Sequence, residues 1–520
     1  MCSVVVLAAG AGSRMHSSTP KVLHKLCGRE MLYYSINEAM KISDDVSVLV
    51  FHHADKVEKM VRDNFIGVRC VRQDYHNLPG TGGAIMSFLQ QYEPKHERLL
   101  ILNGDMPLVC SDELRKFLDF GTESTVMSIL ELDDGSGYGR VILNGKKIIG
   151  IVEEKDATEQ QRQITTVNAG VYLFPLPILR TYLPKLTNNN AQKEYYLTDI
   201  IHALLADSKE LVSLVVNEEN FKGVNTKLDL SAAEEIMLHK IRTHWQKAGV
   251  RMHLPHTIYI DSRAQFSGEC ELESGAQILG ACVLENAHIK AHSVVEDSKI
   301  VNSDVGPFAH IRPQCMIAQT HIGNFVETKK AILHGVKAGH LSYLGDCEIG
   351  SGSNIGAGVI TCNYDGKQKH RTVIGKDVFI GSDTQLVAPV SVGDCVVVAA
   401  GSTITKDVAS GALGISRTPQ ANIDGFYERF FGGIWGNQPV ATANTESKAQ
   451  TQLKINGEWQ SVEKGLSVQG VLRKLGVDSK VVAIALNGEV LKKEQWSSHT
   501  PKEGDELELL HFVGGGRCLP

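Results

Sequence analysis

The chain has 520 residues, which is too long for a single hydrophobic core and predicts two to four domains. An apolar fraction of 42%, a charged fraction of 22% and a net charge of −6 are typical of a globular protein, and they give no electrostatic reason to expect nucleic acid or an anionic membrane as a partner. The eleven cysteines form no CxxC pair, and the apolar run from Val4 to Ala9 is too short for a signal peptide or a membrane span. We therefore expect reduced thiols, no structural zinc and a cytoplasmic location.

The first part of the chain alternates strand-like apolar runs with helical patterns from Ser3 to about Gly223. This alternation is typical of an α/β domain with a mainly parallel sheet. From Leu228 to about Lys247 the apolar residues fall on one face of a helix, which predicts a helix that connects two domains.

A glycine-containing loop follows the first strand directly, with the sequence Leu7-Ala8-Ala9-Gly10-Ala11-Gly12-Ser13-Arg14-Met15. Small residues let backbone N–H groups approach phosphate oxygens, and Arg14 and Lys21 would add positive charge. The loop is not a dinucleotide fingerprint, because Met15 replaces the third glycine, and it lacks the Gly-Lys-Ser/Thr of a P-loop. A plain turn and a solvated lysine remain the alternative interpretation.

An acidic residue, Asp105, follows a later apolar strand in the segment Asn103-Gly104-Asp105. This is the carboxyl end of the sheet, where α/β proteins bind ligands. Mg²⁺ commonly takes one or two protein oxygens and leaves its other positions to water and phosphate. Asp105 is therefore a candidate Mg²⁺ ligand, with a turn-capping role as the alternative.

A strict interval of six separates apolar residues in the middle of the chain, at Ile374, Ile380, Leu386, Val392, Val398 and Ile404. Weaker copies of the step lie upstream at Val305, Ile311, Ile317, Ile349 and Ile355. Hexapeptide repeats predict a β-solenoid, here from about Pro255 to about Val408, and ordinary sandwich strands are the alternative. The six-residue repeat is interrupted between Ile317 and Ile349 and between Ile355 and Ile374. We expect both interruptions to be loops that carry a site.

The last part of the chain begins after a stretch rich in Gly, Asn, Ala, Thr and Ser between Gly432 and Gln452, which predicts a flexible linker. Strand-like runs and hairpin signals then surround one short helical pattern, which predicts a small α+β roll.

Taken together, the loop at Leu7–Met15, the Pro20-Lys21 pair and the Gly104-Asp105 pair resemble the sugar-nucleotide pyrophosphorylases. With the solenoid added, the resemblance narrows to the bacterial bifunctional N-acetylglucosamine-1-phosphate uridyltransferase / glucosamine-1-phosphate acetyltransferase family, over roughly residues 3–420. It implies a Rossmann-like mixed sheet followed by a left-handed parallel β-helix. It also implies that the chain acetylates glucosamine-1-phosphate with acetyl-CoA and couples the product to UTP with release of pyrophosphate, which supplies peptidoglycan and lipopolysaccharide synthesis.

The resemblance also implies roles for individual residues of the first domain. Arg14 and Lys21 would neutralise the triphosphate, and Asp105 and Asn225 would hold Mg²⁺. The nucleotide and the sugar would be bound by residues of several segments, namely Leu7, Ala8, Ala9, Gly10, Gln73, Gly80, Thr81, Asn103, Gly104, Gly139, Glu153 and Asn168. The stretch from Gln73 to Gly80 is longer than the family pattern, which bears on the role of Gln73 in particular.

A second set of roles concerns acetyl transfer in the solenoid. Attack of a sugar amine on a thioester needs a base with a pKa near 7, for which His340 is the candidate. The resemblance implies that glucosamine-1-phosphate is bound by Arg312, Lys329, Tyr343 and Asn354. It implies that acetyl-CoA is bound by Ala357, Asn363, Tyr364, Ser382, Ala400 and Arg417, between the subunits of a homotrimer.

The C-terminal segment resembles the thiamine-pathway sulfur carrier of the ubiquitin-like β-grasp fold, with its diglycine at Gly515 and Gly516. That resemblance implies a sulfur-carrier adenylyltransferase as partner. Arg517-Cys518-Leu519-Pro520 follow the diglycine, so either a processing protease removes them or the domain carries no sulfur. The expected domains are a uridyltransferase domain, a connecting helix, a β-helix, a linker, a β-grasp domain and a tail, over residues 1–226, 227–250, 251–425, 426–451, 452–516 and 517–520.

Two alternative functions compete with this prediction. In the first, the chain is a sugar-nucleotide pyrophosphorylase whose solenoid has no catalytic role. In the second, it is a sulfur-carrier protein that uses the rest of the chain as a scaffold. His340, Tyr343 and the Asn363-Tyr364 pair favour a catalytic solenoid over the first, and two intact substrate sites argue against the second.

Overall fold

The computed structural model describes residues 1–10, 12–145, 147–190, 192–209, 211–431, 449–477 and 482–511. The chain forms two compact units, Met1–Pro419 and Gln420–Pro520.

A nine-stranded mixed sheet forms the centre of the first 226 residues. Its strands run, in spatial order, Leu211–Val215, Thr125–Glu131, Thr166–Pro175, Arg98–Asn103, Ser3–Ala8, Val46–Val50 and Arg69–Arg72, with Arg140–Asn144 and Lys147–Val152 at the side. Strand Thr166–Pro175 is antiparallel to both of its neighbours, whereas Ser3–Ala8 is parallel to the strands on either side. The central strands are apolar on both faces because helices cover both sides of the sheet.

Eight α-helices accompany this sheet in the described part of residues 1–226, at Met31–Met40, Ala54–Asn64, Gly80–Gln91, Ser111–Arg115, Glu159–Arg162, Leu176–Tyr182, Thr198–Ala206 and Glu218–Phe221. Short 3-10 helices lie at Ser13–Met15, Lys21–Leu23, Lys116–Asp119 and Leu183–Lys185, and a two-stranded hairpin joins Lys25–Leu26 to Arg29–Glu30. Helix Lys227–Lys247 then connects the sheet to the next domain. Its Leu230 and Met237 pack against the α/β domain, and Ile241 and Trp245 pack against the solenoid core.

The solenoid is a parallel β-helix with three faces. Strands Val283–Ile289 and Lys299–Val305 are long, and each turns a corner from the first face onto the second. On the first face Gln265–Ser267 pairs with the start of Val283–Ile289, and on the second face Arg251–Met252 pairs with Glu271–Leu272, which pairs with its end. From there the two faces continue as Met316–Ala318, Ile332–His334, Cys347–Ile349, Thr372–Ile374 and Val390–Val392, and as His321–Asn324, Lys337–His340, Asn354–Ile355, Phe379–Ile380, Val397–Val398 and Leu413–Gly414. The third face contains Tyr259–Ile260, Gln277–Leu279, Val294–Glu296, His310–Ile311, Glu327–Lys329, Tyr343–Gly345, Ile360–Cys362, Gln385–Val387 and Thr403–Ile404, and a 3-10 helix lies at Pro255–Thr257.

We expected two loops in the solenoid, and the prediction of the first, between Ile317 and Ile349, is wrong. Between Ile317 and Ile349 the strands continue without a break, and the inward positions are Ile322, Thr328, Leu333, Ala338 and Leu344. These positions are five or six residues apart, because a coil here takes 16 residues, from Ile317 to Leu333, whereas a later coil takes 18, from Ile374 to Val392. The six-residue repeat is therefore not visible in the sequence here, because some faces of the coil have only five residues and because Thr328 and Ala338 are only weakly apolar. The second interruption does contain a loop, since residues 363–371 leave the coil between Ile360–Cys362 and Thr372–Ile374.

The second unit contains a five-stranded sheet in the order Glu458–Glu463, Gln450–Ile455, Glu506–His511, Val482–Leu486 and Glu489–Leu491. Its first and last strands in the chain lie side by side and parallel, and helix Val468–Lys474 packs on the sheet beside the 3-10 helix Lys493–Gln495. At the start of the expected linker at 426–451, helix Phe426–Phe431 forms and Phe426 stacks on Phe430 at 5.4 Å. Residues 432–448, the diglycine at Gly515 and Gly516, and the tail at 517–520 lie outside the described residues.

Within the described ranges, every helix is too short or too polar to cross a membrane.

Candidate active sites

The predicted nucleotide residues line one cleft of about 410 Å³ at the carboxyl ends of strands Ser3–Ala8 and Arg98–Asn103. The predicted residues that line it are Leu7, Ala8, Ala9, Gly10, Arg14, Lys21, Gln73, Gly80, Thr81, Asn103, Asp105 and Asn225. Gly104 lies behind this surface, where its N–H donates to the carbonyl oxygen of Leu7 at 2.9 Å. A Cβ atom at Gly104 would lie 3.0 Å from that oxygen, so a side chain would push the two strand ends apart.

Four polar side chains meet at one end of this cleft. The Lys21 ammonium pairs with the Asp105 carboxylate and donates to Oδ1 of Asn225 at 3.1 Å. The Arg14 guanidinium donates to the same Asn225 oxygen at 2.8 Å. The oxygens of Asp105 and Asn225 therefore converge on one positively charged atom. A carboxylate and an amide oxygen directed at one cationic position fit the ligand preference of Mg²⁺.

The backbone near this cluster depends on one glycine. Gly12 has a φ of +63°, and a Cβ atom there would lie 2.5 Å from Cβ of Lys21. Any larger residue at position 12 would displace Lys21 from Asp105.

Asn225 is held in place by the start of the connecting helix. The Asp229 carboxylate accepts hydrogen bonds from the N–H groups of Asn225 at 3.0 Å and Thr226 at 2.8 Å, and Thr226 caps the helix in return. Burial raises the pKa of Asp229, but these hydrogen bonds outweigh it and leave the pKa below its ordinary value. The backbone of Asn225 is thus fixed, and its side-chain oxygen points toward Lys21.

The opposite end of the cleft contains Gln73, Gly80 and Thr81. Gln73 is 6% exposed, and its side-chain NH₂ donates to the carbonyl oxygens of Leu78 at 2.8 Å and Gly80 at 3.1 Å. Sequence reasoning missed three residues that line this end, His52, Tyr75 and Glu194. Glu194 is distant in the sequence and reaches the cleft only through the tertiary fold. For Tyr75, the only sequence signal was a short run of aromatic and histidine residues.

The predicted sugar residues lie beside the cleft rather than in its lining. Asn168 donates its N–H to the carbonyl oxygen of Gly139 at 2.8 Å, and its side-chain amide donates to the Tyr172 hydroxyl at 2.5 Å. The Asn103 amide, which lines the cleft, donates to the Gly170 carbonyl at 3.3 Å and so joins this group to the cleft.

Glu153 belongs to the same group. It accepts from the Thr198 hydroxyl at 2.9 Å and lines a neighbouring cavity of about 260 Å³ with Asp156, Asp199 and His202. Burial raises the pKa of Glu153 above its ordinary value. The negative charges of Glu153 and its acidic neighbours are therefore costly in this cavity unless a ligand or a proton compensates them.

In the β-helix, four of the predicted acetyl-transfer residues occupy equivalent positions at one corner, one in each successive coil. His340, Ala357, Ser382 and Ala400 each precede a residue with positive φ, namely Leu341, Gly358, Asp383 and Gly401. The N–H of Gly358 donates to the His340 carbonyl at 3.4 Å, that of Asp383 to Ala357 at 2.8 Å, and that of Gly401 to Ser382 at 2.9 Å. The Arg417 guanidinium donates to the Ala400 carbonyl at 2.9 Å. These residues therefore form one continuous edge of the β-helix, with the exposed His340 at one end.

A cluster of positive charge lies on the third face of the β-helix. Arg312 and Lys329 lie one coil apart, and the Arg312 N–H donates to the Thr328 carbonyl at 2.8 Å. The Arg312 guanidinium pairs with Glu327 at 2.8 Å. Lys369, on the loop at residues 363–371, lies beside Lys329, and this like charge lowers the pKa of Lys329. Sequence reasoning missed Lys369, because only the return of the loop brings it to Lys329.

Tyr343 and Asn363 lie next to this cluster. The Asn363 side-chain amide donates to Asp346 at 2.5 Å and to the Tyr343 hydroxyl at 3.4 Å. A Cβ atom at Gly345 would collide with the ring and hydroxyl of Tyr343, so a larger residue there would displace the Tyr343 side chain. Tyr364 is exposed on the same loop. Asn354 is farther from the cluster, on the strand paired with Lys337 and Phe379.

A larger open groove of about 680 Å³ lies along the first coils and involves none of the predicted residues. Two of its carboxylates are paired with histidines, Glu271 with His253 at 2.6 Å and Asp304 with His321 at 2.8 Å.

Three parts of the chain match known family models. Residues 4–168 match the MobA-like NTP transferase domain, residues 371–406 match six repeats of the bacterial transferase hexapeptide, and residues 451–516 match the ThiS family. These matches confirm the predicted order of a nucleotidyltransferase domain, a β-helix and a sulfur-carrier-like roll.

Curated relatives match over most of the chain. A bifunctional protein GlmU of Wolinella succinogenes is 60% identical over 429 residues, which cover 82% of this chain and 98% of that protein. Those of Nitratiruptor sp. and Helicobacter pylori are 54% and 52% identical, over 83% of this chain and 99% of each relative. Among solved structures, the inositol-1-phosphate CTP transferase from T. maritima aligns with 45% of this chain and 96% of its own at 16% identity, with a TM-score of 0.37.

Proposed function

The chain belongs to the family of GlmU bifunctional proteins, and from that membership we propose how its two sites divide the synthesis of UDP-N-acetylglucosamine. It is a bifunctional enzyme that acetylates glucosamine-1-phosphate with acetyl-CoA and couples N-acetylglucosamine-1-phosphate to UTP. We assign uridylyl transfer to residues 1–226 and acetyl transfer to residues 251–425.

In uridylyl transfer, an oxygen of the sugar phosphate attacks the α-phosphate of UTP in line, and pyrophosphate leaves. Positioning and neutralisation of charge supply most of the catalysis in such a reaction. Arg14 and Lys21 neutralise the triphosphate, and Gln73, Gly80 and Thr81 hold the base. Gly139, Glu153 and Asn168 hold the sugar at the neighbouring wall. The convergence of Arg14 and Lys21 on Asn225 beside Asp105 is the observation that supports this assignment.

Membership of the family implies a divalent cation for this reaction. We propose that it is Mg²⁺ and that Asp105 and Asn225 hold it, because their oxygens already converge on one cationic atom. When bound, Mg²⁺ would neutralise negative charge on the triphosphate. Lys21 would then turn from Asp105 toward the phosphates.

In acetyl transfer, the amine nitrogen of glucosamine-1-phosphate attacks the thioester carbonyl carbon of acetyl-CoA, the C–S bond breaks, and the thiolate leaves. His340 accepts the proton that the amine loses, and coenzyme A leaves as the thiol after taking up a proton. Arg312, Lys329 and Lys369 hold the sugar phosphate with Tyr343 beside them, and Asn354 contacts the sugar from the adjoining face. The corner at Ala357, Ser382 and Ala400, with Asn363, Tyr364 and Arg417, holds acetyl-CoA.

We further propose that the acetyl-transfer site is completed in a homotrimer. His340 is exposed in a single chain, and the corner beside it continues as Phe308, Phe325 and Leu341, which are 49%, 57% and 63% exposed. Phe308 and Phe325 stack at 5.4 Å, so the corner presents an apolar ridge that a second copy would cover. Light scattering of the purified chain in solution is expected to give three times the mass of one chain, and a monomeric mass would contradict the proposal.

The experiment that tests the bifunctional assignment is a pair of separate assays on the purified full-length chain. One assay follows thiol release from acetyl-CoA with glucosamine-1-phosphate, and the other follows pyrophosphate release from UTP with N-acetylglucosamine-1-phosphate. Both activities are expected. Uridylyl transfer alone would instead favour a pyrophosphorylase with a non-catalytic solenoid.

A second function concerns the C-terminal domain. The match to the ThiS family ends at residue 516, which is the second glycine of the pair Gly515-Gly516. We propose that a protease removes residues 517–520 and that a sulfur-carrier adenylyltransferase then activates the Gly516 carboxylate for conversion to a thiocarboxylate. The intact mass of the protein isolated from its own cells tests this: a chain that ends at Gly516 supports it, and a permanent tail contradicts it.

A further inference from the structure

The nucleobase end of the uridylyl-transfer cleft contains an aromatic residue that the reaction described above does not use. Tyr75 lies between Gln73 and Gly80 in the chain and lines the same cleft. One face of its ring is stacked on Phe51, with the ring centroids 4.7 Å apart and the planes 13° from parallel. His52 meets the ring edge to face at 5.8 Å.

The loop that presents Tyr75 is closed by its own hydrogen bonds. The Leu78 N–H donates to the Asp74 carbonyl at 2.7 Å, and the Asn77 side-chain amide donates to the Asp74 carboxylate at 2.8 Å. The Asp74 N–H in turn donates to the Ser87 hydroxyl at 3.1 Å on helix Gly80–Gln91. The ring is therefore presented by a closed turn.

The Tyr75 hydroxyl donates at 3.3 Å to the carboxylate of Glu194, which also lines the cleft. Glu194 is itself held to the base-binding segment, because the adjacent Tyr195 donates its N–H to the Pro79 carbonyl at 2.9 Å and accepts from the Gly82 N–H at 2.7 Å. Burial raises the pKa of Tyr75, and the nearby Glu194 carboxylate raises it further, so the hydroxyl stays protonated and able to donate.

We propose that Tyr75 is the stacking partner of the uracil ring, and that it binds the base while Gln73 and Gly80 contact its polar edge. This inference rests on the proposed function. Aromatic side chains bind nucleobases by stacking whatever the base, because every base has a π face. Tyr75 therefore contributes affinity for the nucleoside part of UTP and leaves base identity to its neighbours.

The test compares two tyrosines that have similar surroundings. Tyr33 is also half-buried and packs against a phenylalanine, Phe65, at 4.9 Å, but it does not line the cleft. Tyr75→Ala is expected to raise the KM for UTP by about 5- to 150-fold, the range that corresponds to loss of one stacked base, with kcat changed much less. Tyr33→Ala is expected to leave the KM for UTP unchanged.

Inorganic tripolyphosphate serves as a probe for the phosphate end alone. Its inhibition constant against UTP is expected to be the same in wild type and Tyr75→Ala, because tripolyphosphate has no base to stack. Tyr75→Phe keeps the ring and loses only the hydrogen bond to Glu194, so its KM is expected to stay within about threefold of wild type.

An unchanged KM for UTP in Tyr75→Ala would overturn the inference. So would a weakening of UTP and tripolyphosphate by the same factor, since that indicates damage to the whole cleft. If the wild-type chain itself transferred no uridylyl group, the proposed function would fail instead, and the two failures are therefore distinguishable.

Discussion

The carboxylate of Asp261, in the first coil of the β-helix, lies directly against Gly28, in the hairpin that follows Lys21. Gly28 has a φ of +88°, and a Cβ atom there would collide with both carboxylate oxygens of Asp261. Asp261 cannot easily move, because it accepts two hydrogen bonds from the Arg263 guanidinium at 2.9 and 2.7 Å. Next to this contact, the Ser262 N–H donates to the Cys27 carbonyl at 2.9 Å. The α/β domain is therefore joined to the β-helix by a close backbone contact that needs a glycine.

We expect Gly28→Ala to destabilise the first unit more than Gly67→Ala does. Gly67 has a similar φ of +84° but no atom within 4 Å of the added Cβ, so that variant loses only about 1–2 kcal/mol to backbone strain. Gly28→Ala suffers the same strain and in addition the collision with Asp261, which adds about 1–3 kcal/mol. Urea unfolding of the two variants measures the difference. Equal losses in the free energy of unfolding would show that the contact with Asp261 tolerates a side chain.

The pairing of Lys21 with Asp105 leads to a prediction about uridylyl transfer. Asp105→Asn removes the negative charge proposed to hold Mg²⁺, and we expect kcat for pyrophosphate release to fall about 100-fold or more. Thiol release from acetyl-CoA should stay near the wild-type rate, because the acetyl-transfer residues lie on the β-helix. The matched control is Asp63→Asn, which removes an exposed carboxylate at the end of helix Ala54–Asn64. A parallel loss of both activities in Asp105→Asn would contradict the separation into two sites.

His340 at the corner of the β-helix supports the reciprocal prediction. His340→Ala removes the proposed base, so acetyl transfer should fall by about 100- to 10,000-fold while uridylyl transfer is retained. His334 lies on the neighbouring face and is also exposed, which makes His334→Ala the control with an equal loss of side chain. Acetyl transfer that survives in His340→Ala would remove His340 as the base.

Some coils of the β-helix could be predicted from the sequence and others could not. The strict step from Ile374 to Ile404 was sufficient to predict the later coils, because each side there has six residues and an aliphatic anchor. The coils between Ile317 and Ile349 were interpreted as a loop, because five-residue sides and an inward Thr328 remove the period that identifies a solenoid.

The sites show the same contrast between local and tertiary information. The end of the cleft at Lys21 and Asp105 was predictable, since Leu7–Gly10 lie at the carboxyl end of strand Ser3–Ala8 and Asp105 lies just after its parallel neighbour, Arg98–Asn103. Lys369 and Tyr75 were not, because each reaches its site through the path of a loop. Glu153 and Asn168 carry no local signal and were predicted through the family resemblance alone.

Burial of Glu153 predicts a pH dependence of stability. Because burial raises the pKa of Glu153 above its ordinary value of 4.5, the folded chain binds this proton more tightly than the unfolded chain does. The contribution to the free energy of unfolding is therefore fully present below pH 4.5 and is lost as the pH rises through the folded-state pKa.

Glu153→Gln does not titrate and keeps an oxygen that can accept from the Thr198 hydroxyl. The stability of this variant relative to wild type should consequently increase with pH above 4.5 and be constant below it. Urea unfolding at a series of pH values from about 4 to about 7 measures the trend, with the exposed Glu159→Gln as control. A stability difference that does not vary with pH, or that decreases as pH rises, would contradict the raised pKa.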